Sequence, residues 1–213
     1  MTTSTKQQDF WQSDFGKNYS TRNTWDPTTM DKVYAETYGV TRTAMNNEFI
    51  KDLSPRNILE VGCNVGDQLR FLQSQGFSDI FGIEIQADAV ERSKQLTKNI
   101  NIIRGSAFDI PYKDKYFDLV FTSGVLIHIS PKDIQSALAE IFRVSGRYIW
   151  GFEYFSEDYV EIEYHGQKDY LWKGNFAQMF LDAFPDLKLV KTKSYPYLAN
   201  DKNVDVMYLL EKS

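Results

Sequence analysis

The stretch ILEVGCNVG, residues Ile58 to Gly66, decides the fold because a hydrophobic run passes directly into a glycine turn. Its apolar residues suit a buried parallel strand. Gly62 and Gly66 allow positive φ or close backbone approach to a ligand, and Asn64 tolerates the left-handed region. A helix is predicted to open at about Asp67. The stretch therefore predicts a strand, a ligand-binding loop and a helix, the repeating unit of an open α/β sheet.

The spacing of the glycines separates two kinds of nucleotide-binding loop. A dinucleotide site requires G-x-G-x-x-G at this turn. With its first glycine at Gly62, that pattern needs glycine at the positions of Asn64 and Asp67. The mismatch disfavours a nicotinamide-dependent dehydrogenase, an alternative that tight NAD binding would restore.

Length and charge bound the class of protein. A chain of 213 residues with 42% hydrophobic residues can bury the core of one enzyme domain. The formal net charge of -5 disfavours a nucleic-acid-binding protein, since phosphate contacts need a basic face. The sequence has no apolar signal-peptide core and no membrane-length stretch, so we expect a cytoplasmic protein that binds no membrane. With the single cysteine Cys63 and no metal-ligand spacing we expect no metal, and the oligomeric state stays open.

Strand and helix patterns alternate downstream of the opening stretch, as in an open α/β sheet. After a helix that ends at Gly76, strands are predicted at residues 80–85, 100–104, 117–123, 148–152, 187–191 and 204–211. A helix is predicted to start at Pro131, with Ser130 as its cap, because proline suits the first helical position. Another is predicted to follow a cap at Asn175.

Residues 1–53 differ from the rest and are predicted to pack on a main domain of residues 54–213 as one structural unit. The first 26 residues are polar but carry aromatic side chains, too many for a purely disordered tail. Two helical segments are plausible between Met30 and Leu53, with Thr41 as the second cap. This segment suits either a lid that closes over a ligand or a static structural cap.

A family resemblance follows from the opening stretch. With Glu60 closing the strand, E-x-G-x-N-x-G resembles motif I of the class I S-adenosylmethionine methyltransferases. The resemblance implies a Rossmann-like α/β fold with a seven-stranded sheet that ends in an antiparallel hairpin, here with an N-terminal helical and aromatic lid. It also implies S-adenosylmethionine as cofactor, S-adenosylhomocysteine as product and a small-molecule substrate.

Ligands of open α/β sheets bind beyond the carboxyl ends of the strands, so the strand ends predict the cofactor site. Glu84 lies 18 residues after Gly66 near a strand end, where an acidic side chain accepts from ribose hydroxyls. By the resemblance, residues 106–108 hold adenine, although Phe108 also suits the core, and residues 123–124 face the methionine amino group. The predicted cofactor-binding residues are Trp11, Tyr19, Arg22, Glu60, Gly62, Asn64, Gly66, Asp67, Gln68, Glu84, Ile85, Ser106, Ala107, Phe108, Ser123, Gly124 and Val125.

Three side chains are candidates for catalysis. His128 follows the fourth strand and could accept a proton from an acceptor hydroxyl or amine, or it could simply pack and bond to backbone. Glu153 and Tyr154 begin a stretch rich in carboxylates and tyrosines, which suits a polyhydroxylated or amino-bearing acceptor. A solvated acidic loop is the other interpretation of that stretch.

A narrower resemblance covers most of the chain. The segments FWQSDFGKNYSTRN (10–23), EVGCNVGDQL (60–69), FTSGVLIHISP (121–131) and EIEYHGQKDYLWKGNF (161–176) together resemble the pseudaminic acid biosynthesis-associated methylases. This implies a bacterial small-molecule methyltransferase among sugar or surface-glycan functions, with O- or N-methylation open. A non-catalytic protein that binds S-adenosylmethionine and regulates or scaffolds a partner is the alternative.

Overall fold

Seven strands form one sheet in the computed structural model, which describes residues 4–213. Residues 1–3 of the predicted N-terminal segment lie outside this range. The described residues contain nine strands in all: β1 (Ile58–Val61), β2 (Ile80–Glu84), β3 (Asn101–Arg104), β4 (Phe117–Ser123), β5 (Ser145–Tyr154), β6 (Val160–Glu161), β7 (Trp172–Lys173), β8 (Leu187–Tyr197) and β9 (Asn200–Lys212). The order in the sheet is β3-β2-β1-β4-β5-β9-β8, and β6 and β7 form a separate small hairpin.

The first five strands are parallel and β9 runs antiparallel to both β5 and β8. This arrangement confirms the predicted Rossmann-like seven-stranded sheet and its terminal hairpin. Chain order reverses between β1 and β4, which are neighbours in the sheet. Such a switch point opens a crevice at the carboxyl ends of the strands, where ligands of this fold class bind.

Helices cover both faces of the sheet. They are α1 (Lys6–Trp11), α2 (Asp14–Arg22), α3 (Pro27–Tyr38), α4 (Arg42–Ile50), α5 (Asp67–Ser74), α6 (Ala87–Leu96), α7 (Ile134–Val144) and α8 (Phe176–Ala183), and a 3-10 turn spans Leu126–His128. Two apolar cores result, because alternate residues of a strand point to opposite faces: Phe121 joins one core and Val120 the other. None of the described helices has the length and apolar character to span a membrane.

The N-terminal segment is helical almost throughout. The amide of Ala44 donates to the Thr41 hydroxyl, so the predicted cap of the second helix between residues 30 and 53 is confirmed. Helices α1 and α2 were not predicted, although a capping box at Thr5 and Gln8 closes the first turn of α1. The segment is bonded to the sheet domain between α2 and α3, where the Trp25 amide donates to Asp67 at 2.7 Å.

The predicted start of the seventh helix was wrong by three residues. Ser130 donates its hydroxyl to the Asp133 carboxylate at 2.5 Å and caps no amide, so residues 131–133 form a turn. Helix α7 begins at Ile134, whose amide donates to the Ser130 carbonyl. The cap at Asn175 is confirmed, since its side chain accepts from the Gln178 amide.

Candidate active site

A cavity of about 540 Å³ lies at the carboxyl ends of the parallel strands. Its size is that of a small-molecule site. Residues at or just after the ends of β1 to β5 line it on one side, and the N-terminal helices and the β8–β9 hairpin close it on the other. This is the crevice in which the fold is expected to bind ligands.

Most of the predicted site residues gather at this cavity. Those that line it are Trp11, Tyr19, Glu60, Gly62, Asn64, Asp67, Gln68, Glu84, Ile85, Ser106, Ala107, Phe108, Ser123, Gly124, Val125, His128 and Tyr154. The structure does not place Arg22, Gly66 or Glu153 on it. Arg22 is exposed at the end of α2, and Gly66 faces the Ile102 and Thr97 side chains.

Gly62 makes the turn that brings the β1 loop to the cavity. Its φ is +75°, which L side chains rarely adopt, and a Cβ built there would lie 2.8 Å from a Val125 methyl. Asn64 follows in the same left-handed region with φ of +49°. The prediction of a tight loop at this strand end is confirmed, and its backbone stands closely against the loop after β4.

Glu84 fixes the loop through its carboxylate. The amides of Asn64 and Gln86 each donate to one of its oxygens at 2.9 Å. Burial raises the pKa of Glu84, while these backbone hydrogen bonds lower it. The residue is 5% exposed and lines the cavity, and each carboxylate oxygen can accept a further hydrogen bond. Glu84 therefore links the ends of β1 and β2 and offers an acceptor at the place predicted for ribose hydroxyls.

Three buried oxygens around this loop have no donor among the described residues. They are Glu60 Oε2, Asn64 Oδ1 and Gln68 Oε1, and all three residues line the cavity. A buried polar atom without a partner costs about 1–3 kcal/mol, so such atoms indicate a missing ligand or water. The group that fits them is a hydrogen-bond donor, such as an ammonium or hydroxyl group.

The N-terminal helices contact the loop after β3. Gln8 Nε2 donates to the Ser106 hydroxyl at 2.9 Å, and the Phe108 amide donates to the same oxygen at 3.1 Å. Arg104 donates to the Gln12 side chain at 2.8 Å. The first helix of the N-terminal segment thus lies directly on the loop predicted to hold adenine.

His128 lies in the 3-10 turn after β4. Its Nδ1 is 2.8 Å from the Tyr170 carbonyl, which can only accept, so Nδ1 carries the proton and Nε2 has a free lone pair. Burial lowers the pKa of His128 to about 4, although the Tyr170 bond raises it. The Trp11 ring packs edge-on against it at 4.7 Å between centroids. His128 is therefore neutral at pH 7, with a defined tautomer.

Glu153 has a different position from that predicted. Its carboxylate accepts from the Val125 amide at 3.2 Å and from the Ile127 amide at 3.5 Å. Burial raises its pKa to about 7. The residue holds the turn that carries His128 and does not face the cavity. Its neighbour Tyr154 does line the cavity, since adjacent strand residues point to opposite faces.

Sequence reasoning missed the far end of the cavity. Tyr34 and Tyr38 of α3, Tyr197 of β8 and Asp205 of β9 line it. The two tyrosines of α3 are four residues apart and so share a helix face, a signal present in the sequence. Asp205 interrupts the apolar run of β9, which is a second signal, because an acidic residue in a buried strand needs partners.

Comparison with known proteins finds similarity to methyltransferases. Residues 59–147 match a family model described as a methyltransferase domain. An uncharacterized Haemophilus influenzae protein is 29% identical over 105 residues, which are 46% of this chain and 41% of that protein. Norajmaline N-methyltransferase of Rauvolfia serpentina is 29% identical over 97 residues, 43% of this chain and 32% of that enzyme. The chain thus spans less than half the length of these curated relatives.

A solved structure resembles the chain over its whole length. Burkholderia thailandensis 1,6-didemethyltoxoflavin-N1-methyltransferase, determined with bound 1,6-didemethyltoxoflavin and S-adenosylhomocysteine, has a TM-score of 0.69 at 15% identity. The match covers 100% of this chain and 93% of that one. At this identity the likeness shows the fold alone.

Among residues 4–213, no group of three or more His, Cys, Asp or Glu is arranged to hold a metal ion.

Proposed function

We propose that this chain is an S-adenosylmethionine-dependent methyltransferase that acts on the oxygen or nitrogen of a small molecule. One observation carries the proposal: three donor-less buried oxygens and the Glu84 carboxylate gather around one strand-end loop of the matched methyltransferase domain. A methionine ammonium group and two ribose hydroxyls are the donors that this set of acceptors lacks. The residues present therefore fit the cofactor.

The cofactor-binding roles follow from position. Glu60, Asn64 and Gln68 offer acceptors to the ammonium group, and Glu84 offers its carboxylate to the ribose. The loop 106–108, which α1 contacts through Gln8, would hold the adenine. When bound, S-adenosylmethionine supplies an electrophilic methyl group on a sulfonium. The enzyme's own part is to hold the acceptor in line with the breaking bond and to exclude water.

We propose that His128 accepts the proton of the acceptor group. Its Nε2 lone pair is free, and the bond from Nδ1 to the Tyr170 carbonyl fixes the ring. In this proposal Nε2 would accept the proton that a hydroxyl acceptor loses on methylation. An amine acceptor must lose its ammonium proton before it attacks, and then needs no strong base. Tyr154 lines the acceptor side of the cavity.

The chemical class of the acceptor and the cellular compartment are further parts of the proposal. We propose a sugar or amino sugar of bacterial surface-glycan synthesis, supported by the resemblance to the pseudaminic acid biosynthesis-associated methylases over segments 10–23 and 161–176. The cytoplasm is the compartment expected from the sequence. The N-terminal segment, including α1 and α2, acts in this proposal as a lid over the cofactor.

The decisive experiment measures binding and turnover separately. Purified protein is titrated with S-adenosylhomocysteine by calorimetry, then incubated with S-adenosylmethionine and a set of sugars, amino sugars and unrelated amines. Mass spectrometry of S-adenosylhomocysteine and of methylated product is expected to show acceptor-dependent turnover. Binding without turnover across the set would favour the silent scaffold, and failure to bind S-adenosylhomocysteine would overturn the cofactor assignment.

A further inference from the structure

The far end of the cavity is built around one carboxylate. Asp205 of β9 lies beside Tyr154 of β5, its partner in the strand pairing. Tyr38 reaches the same place from α3 and Tyr197 from β8. All four residues line the cavity, and they come from four different elements. We call this group the tyrosine–aspartate cluster.

Only one oxygen of Asp205 is occupied within the cluster. The hydroxyls of Tyr38 and Tyr197 both donate to Oδ2, the latter at 3.0 Å. The described residues donate no side-chain hydrogen bond to Oδ1, and Asp205 lines the cavity. The side chain is 5% exposed. Asp205 is thus a desolvated carboxylate, held in place through one oxygen and available through the other.

Aromatic rings surround this carboxylate. The Tyr38 and Tyr197 centroids are 5.1 Å apart, and those of Tyr154 and Tyr197 are 5.8 Å apart. Phe152 adds a fourth ring, 5.8 Å from Tyr38. A ring face attracts a cation within about 6 Å. The Tyr154 ring already does so on one face, where Lys173 Nζ lies 3.9 Å from its centroid.

The charges of the cavity have one sign. Its acidic residues are Glu60, Asp67, Glu84 and Asp205, and of the described residues that line it none is lysine or arginine. Its histidine, His128, is neutral because burial lowers its pKa to about 4. Asp67 is paired with Arg70 at 2.5 Å, whereas Asp205 at the far end has no ion-pair partner within 4 Å among the described residues. A negative charge on Asp205 favours a cationic acceptor over an anionic one.

Two cations lie near Asp205, and neither is paired with it. Arg42 is fully buried behind the cavity and donates to Asn46 at 2.8 Å and to Tyr34 at 3.1 Å. Lys173 donates to Asn203 at 3.0 Å. Burial raises the pKa of Asp205, while the hydroxyls of the cluster and these two cations lower it. Neither cation forms an ion pair with Asp205 within 4 Å among the described residues.

We infer that the tyrosine–aspartate cluster is an ammonium-binding subsite, and that the acceptor is an amine-bearing small molecule without phosphate or carboxylate groups. Asp205 Oδ1 accepts the ammonium N–H, and the rings of Tyr38, Tyr154 and Tyr197 enclose the charge. This inference rests on the proposed function for the rest of the acceptor and narrows its substrate class. A free amino sugar fits the subsite, and a nucleotide-linked or acidic sugar does not.

The test compares amines with alcohols of the same shape. The pairs are D-glucosamine and D-glucose, benzylamine and benzyl alcohol, and cyclohexylamine and cyclohexanol. Each is titrated by ligand-observed NMR at pH 7, with saturating S-adenosylhomocysteine and without it. We expect the amine of at least one pair to bind about ten- to a hundredfold more tightly, since a hydrogen bond to a charged group contributes about 1.5–3 kcal/mol.

Asp205→Asn keeps the size and the acceptor for both tyrosines but removes the charge, and we expect it to abolish the amine preference. Asp201→Asn, an exposed acid of the same strand, is the matched control and should keep it. Tyr154→Leu should weaken the amine preference about fivefold, because the ring face that attracts the cation is lost. No amine preference in any pair, or one that survives Asp205→Asn, overturns the subsite. Failure of S-adenosylhomocysteine to bind would instead overturn the proposed function.

Discussion

The two halves of the cavity are built in opposite ways. The half proposed for the cofactor is made by consecutive strand ends of the matched domain, and Glu60 and residues 62–64, 67–68, 84–86, 105–108 and 123–125 line it. The half proposed for the acceptor is the tyrosine–aspartate cluster, in which Tyr38 and Asp205 are 167 residues apart in sequence. Backbone turns shape the first half, and side chains from separate elements shape the second.

This difference separates two kinds of constraint. In the cofactor half, a positive φ at Gly62 and backbone amides on Glu84 leave few side chains that fit. In the acceptor half, the backbone is regular helix and strand, so a change of one side chain alters chemistry without altering the fold. Cofactor binding and acceptor choice should therefore respond to different mutations.

The largest effect is expected on turnover, from a substitution of His128. His128→Asn should reduce turnover by about 10²–10⁴-fold with a hydroxyl acceptor, because it removes the proton acceptor at Nε2. An asparagine amide can still donate to the Tyr170 carbonyl, so the turn should be kept. Affinity for S-adenosylhomocysteine, measured by calorimetry, should stay within about twofold.

The pH profile checks this interpretation of His128. With a pKa of about 4 for the free enzyme, kcat/KM for the wild type should fall only on the acidic side, near pH 4. Near-normal turnover of His128→Asn, or parallel losses of activity and thermal stability, would show that the histidine only packs. The enzyme would then work by positioning.

Gly62→Val should disrupt the cofactor half through the fold itself. The new side chain would need φ of +75° and would meet Val125 at 2.8 Å. Strain of about 1–2 kcal/mol and overpacking of about 1–3 kcal/mol should appear in urea unfolding. Gly166→Val is the matched control, with the same φ and no atom within 4 Å. Equal destabilisation of the two variants would mean that the close approach to Val125 is unimportant.

Glu84→Ala should weaken the binding of S-adenosylhomocysteine by about ten- to a hundredfold in dissociation constant, because it removes a charge-assisted hydrogen bond that contributes about 1.5–3 kcal/mol. Glu211→Ala is the control, since Glu211 is also a bonded carboxylate, paired with Arg147 at 3.0 Å, and does not line the cavity. Calorimetry on folded protein should show unchanged affinity for the control. An unchanged constant in Glu84→Ala would remove this residue from the cofactor half.

The smallest effect concerns the lid. Trypsin cleavage after Lys17, an exposed residue of α2, should slow by about threefold with saturating S-adenosylhomocysteine, because ligand favours the closed state. Cleavage at Lys113, exposed in the loop before β4, serves as the internal reference. Equal protection at both positions would mean global stabilisation, and no protection at Lys17 would count for a static cap.

The sequence predicts the cofactor half well and the acceptor half poorly, for a physical reason. Apolar runs and glycines locate β1, β2 and β4 to within a residue or so, because buried parallel strands and positive φ have direct sequence signatures. The position of Asp205 depends on which strand pairs with β5, which residue spacing does not reveal. Helices α1 and α2 were missed for a related reason. Their polar composition resembles that of a disordered tail, and their partners Ser106 and Gln86 are distant in the sequence.

The place of β9 in the sheet has a consequence for synthesis. This strand lies between β5 and β8, both of which precede it in the chain. Until residues 200–212 leave the ribosome, β5 has one unpaired edge, and Asp205 does not yet exist. The nascent chain can thus form the strands of the half proposed for the cofactor before the tyrosine–aspartate cluster is complete. The open edge of β5 is where aggregation competes with completion of the fold.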